Sequence, residues 1–417
     1  MNNATKGAPA VLLSHPTGNQ NVRNAAMSFA EYGMLTEFWT TIAWNSESFL
    51  NGILPENLRR QMARRSFAEI PRCNLRSSPW RELVRLASRP TPLNKLLASE
   101  EKAFSVIGVY RAFDRTVASQ LKRVRPDVVY AYEGGALQTF REAKRLGIKT
   151  IYEQPSSYWY WNQKLVNDEA ARNPEFSSLL GSSRDSEAHL KWKDEEIALA
   201  DYVFVPSEHV KSSLAGVVPE SKIQVINYGA PDIGDRKHAP NNPDLPLKIL
   251  YVGALQQRKG IGYLLEAIEK LNAPIELIMV GRRISAHPRV DEACKRWRWF
   301  ESLPHAEVLE LMESADVLVH PSLSEGCALV VLEALASGLP VIVTPHSGSL
   351  EFVRDGQEGF VVPICDAGAI AEKLGVLMND RTLLARMSQC AQEAAREKSW
   401  HAYRANLAGA VRSIACR

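Results

Sequence analysis

The chain reads as an α/β protein made of two doubly wound, Rossmann-like domains that face one another across a central cleft. Three observations predict this. Its 417 residues exceed what one hydrophobic core usually supports. Short apolar runs alternate with helix-length stretches along the whole chain, which is the pattern of βαβ units and parallel sheets. Near the middle, residues 231–246 hold Pro231, Pro240, Pro243 and Pro246 among Asn, Asp and Gly, and this break marks an interdomain linker.

In the first half, the strand candidates are residues 10–14, 127–132, 148–153, 202–206 and 223–228, with a helix over 185–200. The second half restarts with strands over 247–253, 275–281, 316–320, 340–344 and 359–363, each followed by a helix-length pattern. Residues 399–414 are amphipathic and form a last helix. The expected boundaries are 1–235 for a first domain, 236–395 for a second and 396–417 for a terminal helix that crosses back to the first. In open α/β sheets, ligands bind beyond the carboxyl ends of the strands, and Gly253, Ser322 and Pro345 all fall at such ends.

Composition excludes more than it identifies. With 45% apolar and 23% charged residues the chain is ordinary globular material, and a net charge of +3 gives no footprint for nucleic acid. Six scattered cysteines include no Cys-x-x-Cys pair, which argues against a zinc site and a disulfide framework and favours a cytoplasmic location. No apolar run approaches the roughly 20 residues that span a bilayer. The nine histidines show no ligand spacing, so no metal site is expected. Asp-x-Asp, Gly-x-Gly-x-x-Gly after a strand, the P-loop, Gly-x-Ser-x-Gly and His-Glu-x-x-His are all missing.

The strongest chemical signal is a pair of glutamates eight residues apart, Glu325 and Glu333, just after the buried strand over 316–320. Reading a helix from Gly326 onward places the first carboxylate at its mouth and the second about two turns inside. Eight residues at about 1.5 Å rise separate them by roughly 12 Å, enough to reach both ends of an extended ligand. The helix N-terminus between them suits a phosphate. A second signal is residues 251–260, where Arg258 and Lys259 follow Gly253 and precede a helix. Cations at a helix N-terminus oppose the macrodipole, which favours a ligand-related reason for them.

These two elements, in this order, resemble the Glu-x7-Glu motif and its upstream Gly…Arg-Lys-Gly stretch in the retaining glycosyltransferases of family four, which have the GT-B fold. The likeness covers most of the chain and is tightest over residues 316–363. It implies transfer of a sugar from a nucleoside diphosphate sugar to a hydroxyl of a saccharide or lipid-linked acceptor, in surface polysaccharide or glycolipid synthesis, with no cofactor or metal. It also implies roles. Glu333 would hold the ribose, Glu325 the transferred sugar, and Arg258 and Lys259 the diphosphate. The amides of Cys327, Ala328 and Leu329 would meet sugar or phosphate. Gly253 would sit beneath the donor, and in the first loop Gly18 and Asn19 would approach the donor phosphate. His15, Tyr132 and Glu133 are the acceptor-side candidates.

Three departures from the family pattern stand out. Ala254 replaces a common arginine, and Arg258 is the candidate to supply that charge. Cys327 and Ala328 stand where Phe-Gly is common. Tyr132 occupies the place of a frequent histidine, and as a poor base near neutral pH it is given no general-base role. Same-face substitution, in which the leaving phosphate helps deprotonate the acceptor, requires no dedicated base.

Residues 56–95 carry ten Arg and Lys, from Arg59 to Lys95, interspersed with Leu, Phe and Trp. Such a segment suits either an anionic membrane surface, making the protein peripheral, or a solvated helical excursion. The aromatic run over 157–162 offers faces for an acceptor or side chains for a core. Two rivals share the architecture: a nucleotide-sugar epimerase and an inactive partner subunit of a transferase.

Overall fold

The structure is a computed structural model that describes residues 7–45, 47, 52, 56–88, 102–181, 185–234 and 245–416. Positions 235–244 of the linker, and Arg89 and Lys95 of the basic segment, lie outside the described residues.

Thirteen described strands form two all-parallel sheets. The first sheet contains β1 (Val11–Ser14), β2 (Leu35–Thr40), β3 (Leu75–Ser77), β4 (Val128–Tyr132), β5 (Lys149–Glu153), β6 (Tyr202–Val205) and β7 (Ile223–Val225). Its order is β3-β2-β1-β4-β5-β6-β7. The second contains β8 (Leu247–Val252), β9 (Ile275–Val280), β10 (Arg298–Phe300), β11 (Val317–His320), β12 (Val341–Val343) and β13 (Gly359–Val361), in the order β10-β9-β8-β11-β12-β13. Both orders reverse direction beside their first strand, between β1 and β4 and between β8 and β11. Each reversal opens a crevice at the carboxyl ends, the usual ligand position in doubly wound sheets.

Three strands escaped the sequence reading, and each has a physical reason. In β2, Glu37 sits 3% exposed within the sheet, which breaks the apolar run expected of a buried parallel strand. Arg123 at 2.9 Å and Arg76 at 3.1 Å neutralise it. The other two, β3 and β10, are three-residue edge strands that carry Arg76 and Arg298, so no apolar run marks them.

Six helices position the site: α1 (Gln20–Glu31), α2 (Trp159–Arg172), α3 (Glu208–Ser213), α4 (Ile261–Leu271), α5 (Leu329–Ala336) and α6 (Trp400–Ala415). The terminal α6 packs against α1 of the first domain, with Leu407, Val411 and Ile414 buried. Ser28 donates to the Arg404 carbonyl at 2.6 Å, and Arg404 bridges to Glu31 at 2.9 Å. Beside it, Ala230 and residues 398–400 exchange two backbone hydrogen bonds, Ala230 N to Lys398 O at 2.8 Å and Trp400 N to Ala230 O at 3.0 Å. Both chain crossings between the domains are thus tied together.

One excursion ignores the sequence boundary. After β5, α2 and the short turn Pro174–Leu179 leave the first sheet, and Phe176 and Leu179 are buried in the hydrophobic core of the second domain. Among the described residues, no helix is long and apolar enough to cross a membrane.

Candidate active site

The first wall of the cleft is the loop after β8. Gly253 has φ +155 and its backbone packs closely under Gly281, where an added Cβ would clash with the Gly253 backbone. The chain then forms a single 3₁₀ turn over Gln257–Lys259, closed by Gly260 at φ +75. A side chain at Gly260 would run into Pro321 of the opposite loop, so glycine is required there on both counts. This tight turn turns Lys259 toward the loop after β11, where it forms an ion pair with Glu325. Arg258 stands 3.9 Å from the same carboxylate and donates to the Ser324 carbonyl at 3.0 Å.

Glu325 is 14% exposed at its side chain and also accepts from Ser322 Oγ at 3.1 Å. Burial works to raise its carboxyl, but neighbouring Lys259, His320 and Arg258 outweigh burial and hold it below the usual range. His320, at the end of β11, is fully buried. Desolvation, assisted by the Lys259 charge, lowers it to about 4 and keeps it neutral.

The helix expected from Gly326 begins three residues later, at Leu329. Residues 325–328 are pinned against their surroundings instead. Glu325 N donates to His346 O at 2.8 Å, Ser207 Oγ donates to Gly326 O at 2.6 Å, and Ala328 N donates to Ser347 O at 3.1 Å. The Ala328 amide is therefore spent within the protein and does not meet a ligand as expected. No side chain caps α5, which leaves first-turn amides such as that of Leu329 available at its N-terminus. Cys327 is buried, and burial pushes its thiol far above the ordinary range.

Glu333 lies on the second turn of α5, one turn closer to the helix start than expected. Burial raises its carboxyl, opposed by His305, whose Nε2 lies 3.0 Å from Oε1.

The opposite wall comes from the first domain. His15, directly after β1, is 9% exposed, and burial lowers it to about 4, so it is neutral near pH 7. Its Nδ1 accepts from Thr17 N at 3.0 Å, and its ring meets Tyr132 edge-on at 4.8 Å. Tyr132 is 2% exposed, and desolvation drives its hydroxyl well above the usual range, which excludes it as a base. Glu133 instead pairs with Lys193 at 3.5 Å. Asn19 caps α1 by accepting from Val22 N at 3.1 Å. Gly18 lies over Phe67, where an added Cβ would overlap the ring. His15 and Glu133 fall at the β1/β4 reversal, Lys259 and Glu325 at the β8/β11 reversal.

Between the walls is a cluster that sequence reasoning missed. His209 of α3 stacks on His346 of the second domain at 4.6 Å, and Trp161 of α2 meets both rings edge-on at 4.8 and 5.1 Å. Ser324 Oγ donates to Asn162 Oδ1 at 2.7 Å and lies 3.2 Å from Ser157 Oγ. Burial first, then His346, lowers His209 to about 4. One signal was present: His346 lies three residues after β12, in the loop at a carboxyl end where ligand residues collect. The aromatic run divides its roles. Tyr158 is core, Tyr160 is 63% exposed, and Trp161 faces the cleft.

Residues 233–394 match the model of a family described as "Glycosyl transferases group 1". In sequence, the second domain is similar to the group 1 glycosyltransferases. The chain is 26% identical over 322 residues to D-inositol 3-phosphate glycosyltransferase of Corynebacterium diphtheriae, covering 67% of this chain and 74% of that one. It is 29% identical over 165 residues to phosphatidyl-myo-inositol mannosyltransferase of Mycobacterium leprae, covering 38% and 44%. The matched stretch spans about half the length of several further curated relatives. Sucrose-phosphate synthase from Thermosynechococcus elongatus superposes with a TM-score of 0.68 at 17% identity, covering 97% of this chain and 99% of that one. The fold of the chain is GT-B.

Proposed function

We propose that the protein transfers a sugar from a nucleoside diphosphate sugar to a hydroxyl acceptor with retention of configuration. The observation that carries this reading is the meeting of Lys259, Arg258 and Glu325 beside the uncapped start of α5, at the β8/β11 reversal. Cleaving the bond to the anomeric carbon puts negative charge on the diphosphate. Two fixed cations and helix amides stabilise that growing charge, and one such donor contributes about 3 kcal/mol to a barrier. With a donor bound, Lys259 turns from Glu325 to the phosphate, and Glu325 is released to accept hydrogen bonds from sugar hydroxyls. Glu333 takes the ribose hydroxyls. Lys259 and Arg258 supply the charge that a metal ion would otherwise bring, so transfer proceeds in the presence of a chelator.

His15 and Tyr132 shape the acceptor side without acting as bases, so the leaving phosphate receives the acceptor proton. The inositol-phosphate and phosphatidylinositol substrates named for the relatives support a phosphorylated or lipid-linked acceptor in glycolipid or polysaccharide synthesis. A peripheral, cytoplasmic-face position suits such an acceptor. Much of the basic segment is committed to ion pairs, among them Arg65 and Arg85 with Glu82 and Arg72 with Glu47. Exposed Trp80 and Leu83 remain as the membrane-facing candidates.

Thermal unfolding with uridine, guanosine, adenosine and thymidine diphosphates tests the donor site. A ligand at about 100 times its Kd stabilises by about 2.7 kcal/mol. The expected result is a shift with one nucleotide that Lys259→Ala and Glu333→Ala abolish. No shift with any of the four would overturn the reading. Product anomer analysis by NMR then distinguishes retention from inversion.

A further inference from the structure

The helix α2 enters the second domain and ends in a buried carboxylate that the proposed chemistry does not use. Glu169 is 1% exposed. Its Oε1 accepts from Gln257 Nε2 at 2.7 Å, from Tyr263 Oη at 2.8 Å and from Asn173 Nδ2 at 3.1 Å. Arg172, the basic neighbour, is half exposed at its side chain and 3.4 Å away. At this depth the carboxylate's lost hydration is replaced by hydrogen bonds from Gln257, Tyr263, Asn173 and the Cys365 thiol and by Arg172, which commits it to one arrangement.

Gln257 is the residue through which this carboxylate reaches the site. It is fully buried and is the first residue of the turn that carries Arg258 and Lys259. Its amide is held at both ends: Nε2 donates to Glu169, and Oε1 accepts from Gly262 N at 3.1 Å. The clamp therefore spans the turn from its first residue to the start of α4. The far side of the turn is held as well, since Arg258 O accepts from Leu323 N at 2.9 Å and from Ser322 Oγ at 3.1 Å. Asn162, two turns earlier on α2, accepts from Ser324 beside Glu325. One helix from the first domain's chain thus buttresses both loops of the second domain's site.

We infer that Glu169 is a positioning residue that fixes, through Gln257, the direction of Arg258 and Lys259 toward a nucleoside diphosphate. This rests on the donor-phosphate reading above. A displacement of about 1 Å in such a group costs up to about a hundredfold in function.

The test uses the full chain as wild type, Glu169→Ala, Glu169→Gln, Tyr263→Phe, Lys259→Ala and the Glu169→Ala/Lys259→Ala double variant. Nucleoside diphosphate affinity is measured by calorimetry and amide exchange of residues 254–262 by mass spectrometry. Glu169→Ala is expected to weaken binding about tenfold to a hundredfold and to speed exchange in that turn while β8, β9 and β11 stay protected. Glu169→Gln, which keeps an acceptor for Gln257, restores most of the affinity. Tyr263→Phe removes another donor to the same carboxylate yet binds like wild type. In the Lys259→Ala background, Glu169→Ala costs less than it does in the wild type, because one of the two cations it positions is already lost.

Wild-type affinity in Glu169→Ala, or faster exchange across the whole second sheet, would overturn the inference and leave the donor reading standing. A wild-type protein that binds no nucleoside diphosphate would overturn both.

Discussion

Replacing Lys259 with Met removes the closest counter-charge of a nearly buried carboxylate while keeping most of the side-chain volume. Breaking a buried pair by removing one partner costs about 3–5 kcal/mol. Here Arg258 remains 3.9 Å away, a gross attraction of about 4 kcal/mol at an effective dielectric of 20. Its side chain is 37% exposed, so water screens much of that attraction. The expected deficit is therefore about 2 kcal/mol near pH 7, and Glu325→Gln in the same chain should recover most of it.

The pH dependence follows from the direction of the shift. In the wild type, Glu325 is held below its ordinary range, so its contribution is present above about pH 4.5. It is lost as the pH falls through the lowered folded value. Without Lys259, desolvation prevails and the folded value rises. The deficit is then largest at pH 7 and shrinks toward pH 4.5, as the stranded carboxylate takes up a proton. Urea unfolding followed by tryptophan fluorescence at pH 7.5 and 5.0 measures both. Equal deficits at the two pH values, or strictly additive effects in the Lys259→Met/Glu325→Gln pair, would refute the account.

Other perturbations test other parts of the structure. In Gly326→Ala, the new Cβ would lie 2.7 Å from the Pro155 carbonyl carbon and 3.0 Å from Ser156 Cα, and closer still to the Pro155 oxygen. The two walls of the cleft must part, and the transfer rate should fall about a hundredfold with nucleotide binding retained; a wild-type rate would show that the walls need not meet there. Leu407→Ala empties a fully buried site on α6 and should cost about 2–5 kcal/mol in chemical denaturation. His15, His209 and His320 each drop from 6.5 to about 4 on folding. The unfolded chain therefore binds more protons between those values, and stability should fall as pH drops from about 6.5 to 4. His320→Phe should flatten part of that slope in a pH series of thermal melts.

Most of the ten legible strands carry an apolar run, because a parallel strand buried on both faces must be apolar throughout, which writes its position into the sequence. Lys259 and Glu325 were legible because loops at strand ends carry polar chemistry where none is needed for packing, and Glu333 through its spacing from Glu325. The sequence alone thus determined two doubly wound halves and the residue types at one reversal point. It could not show Glu37 inside β2, since a buried charge is tolerable only with partners such as Arg123 that folding brings from far along the chain. Nor could it show that Gly326 stays out of the helix, because the hydrogen bond that holds it comes from Ser207 in the other domain. The His209–His346 stack and the Glu169–Gln257 clamp join segments far apart in sequence, and no local periodicity encodes contacts of that kind. Local pattern determined what each segment is; only the packing of two domains decided which polar groups meet, because hydrogen bonds and ion pairs depend on distance in space.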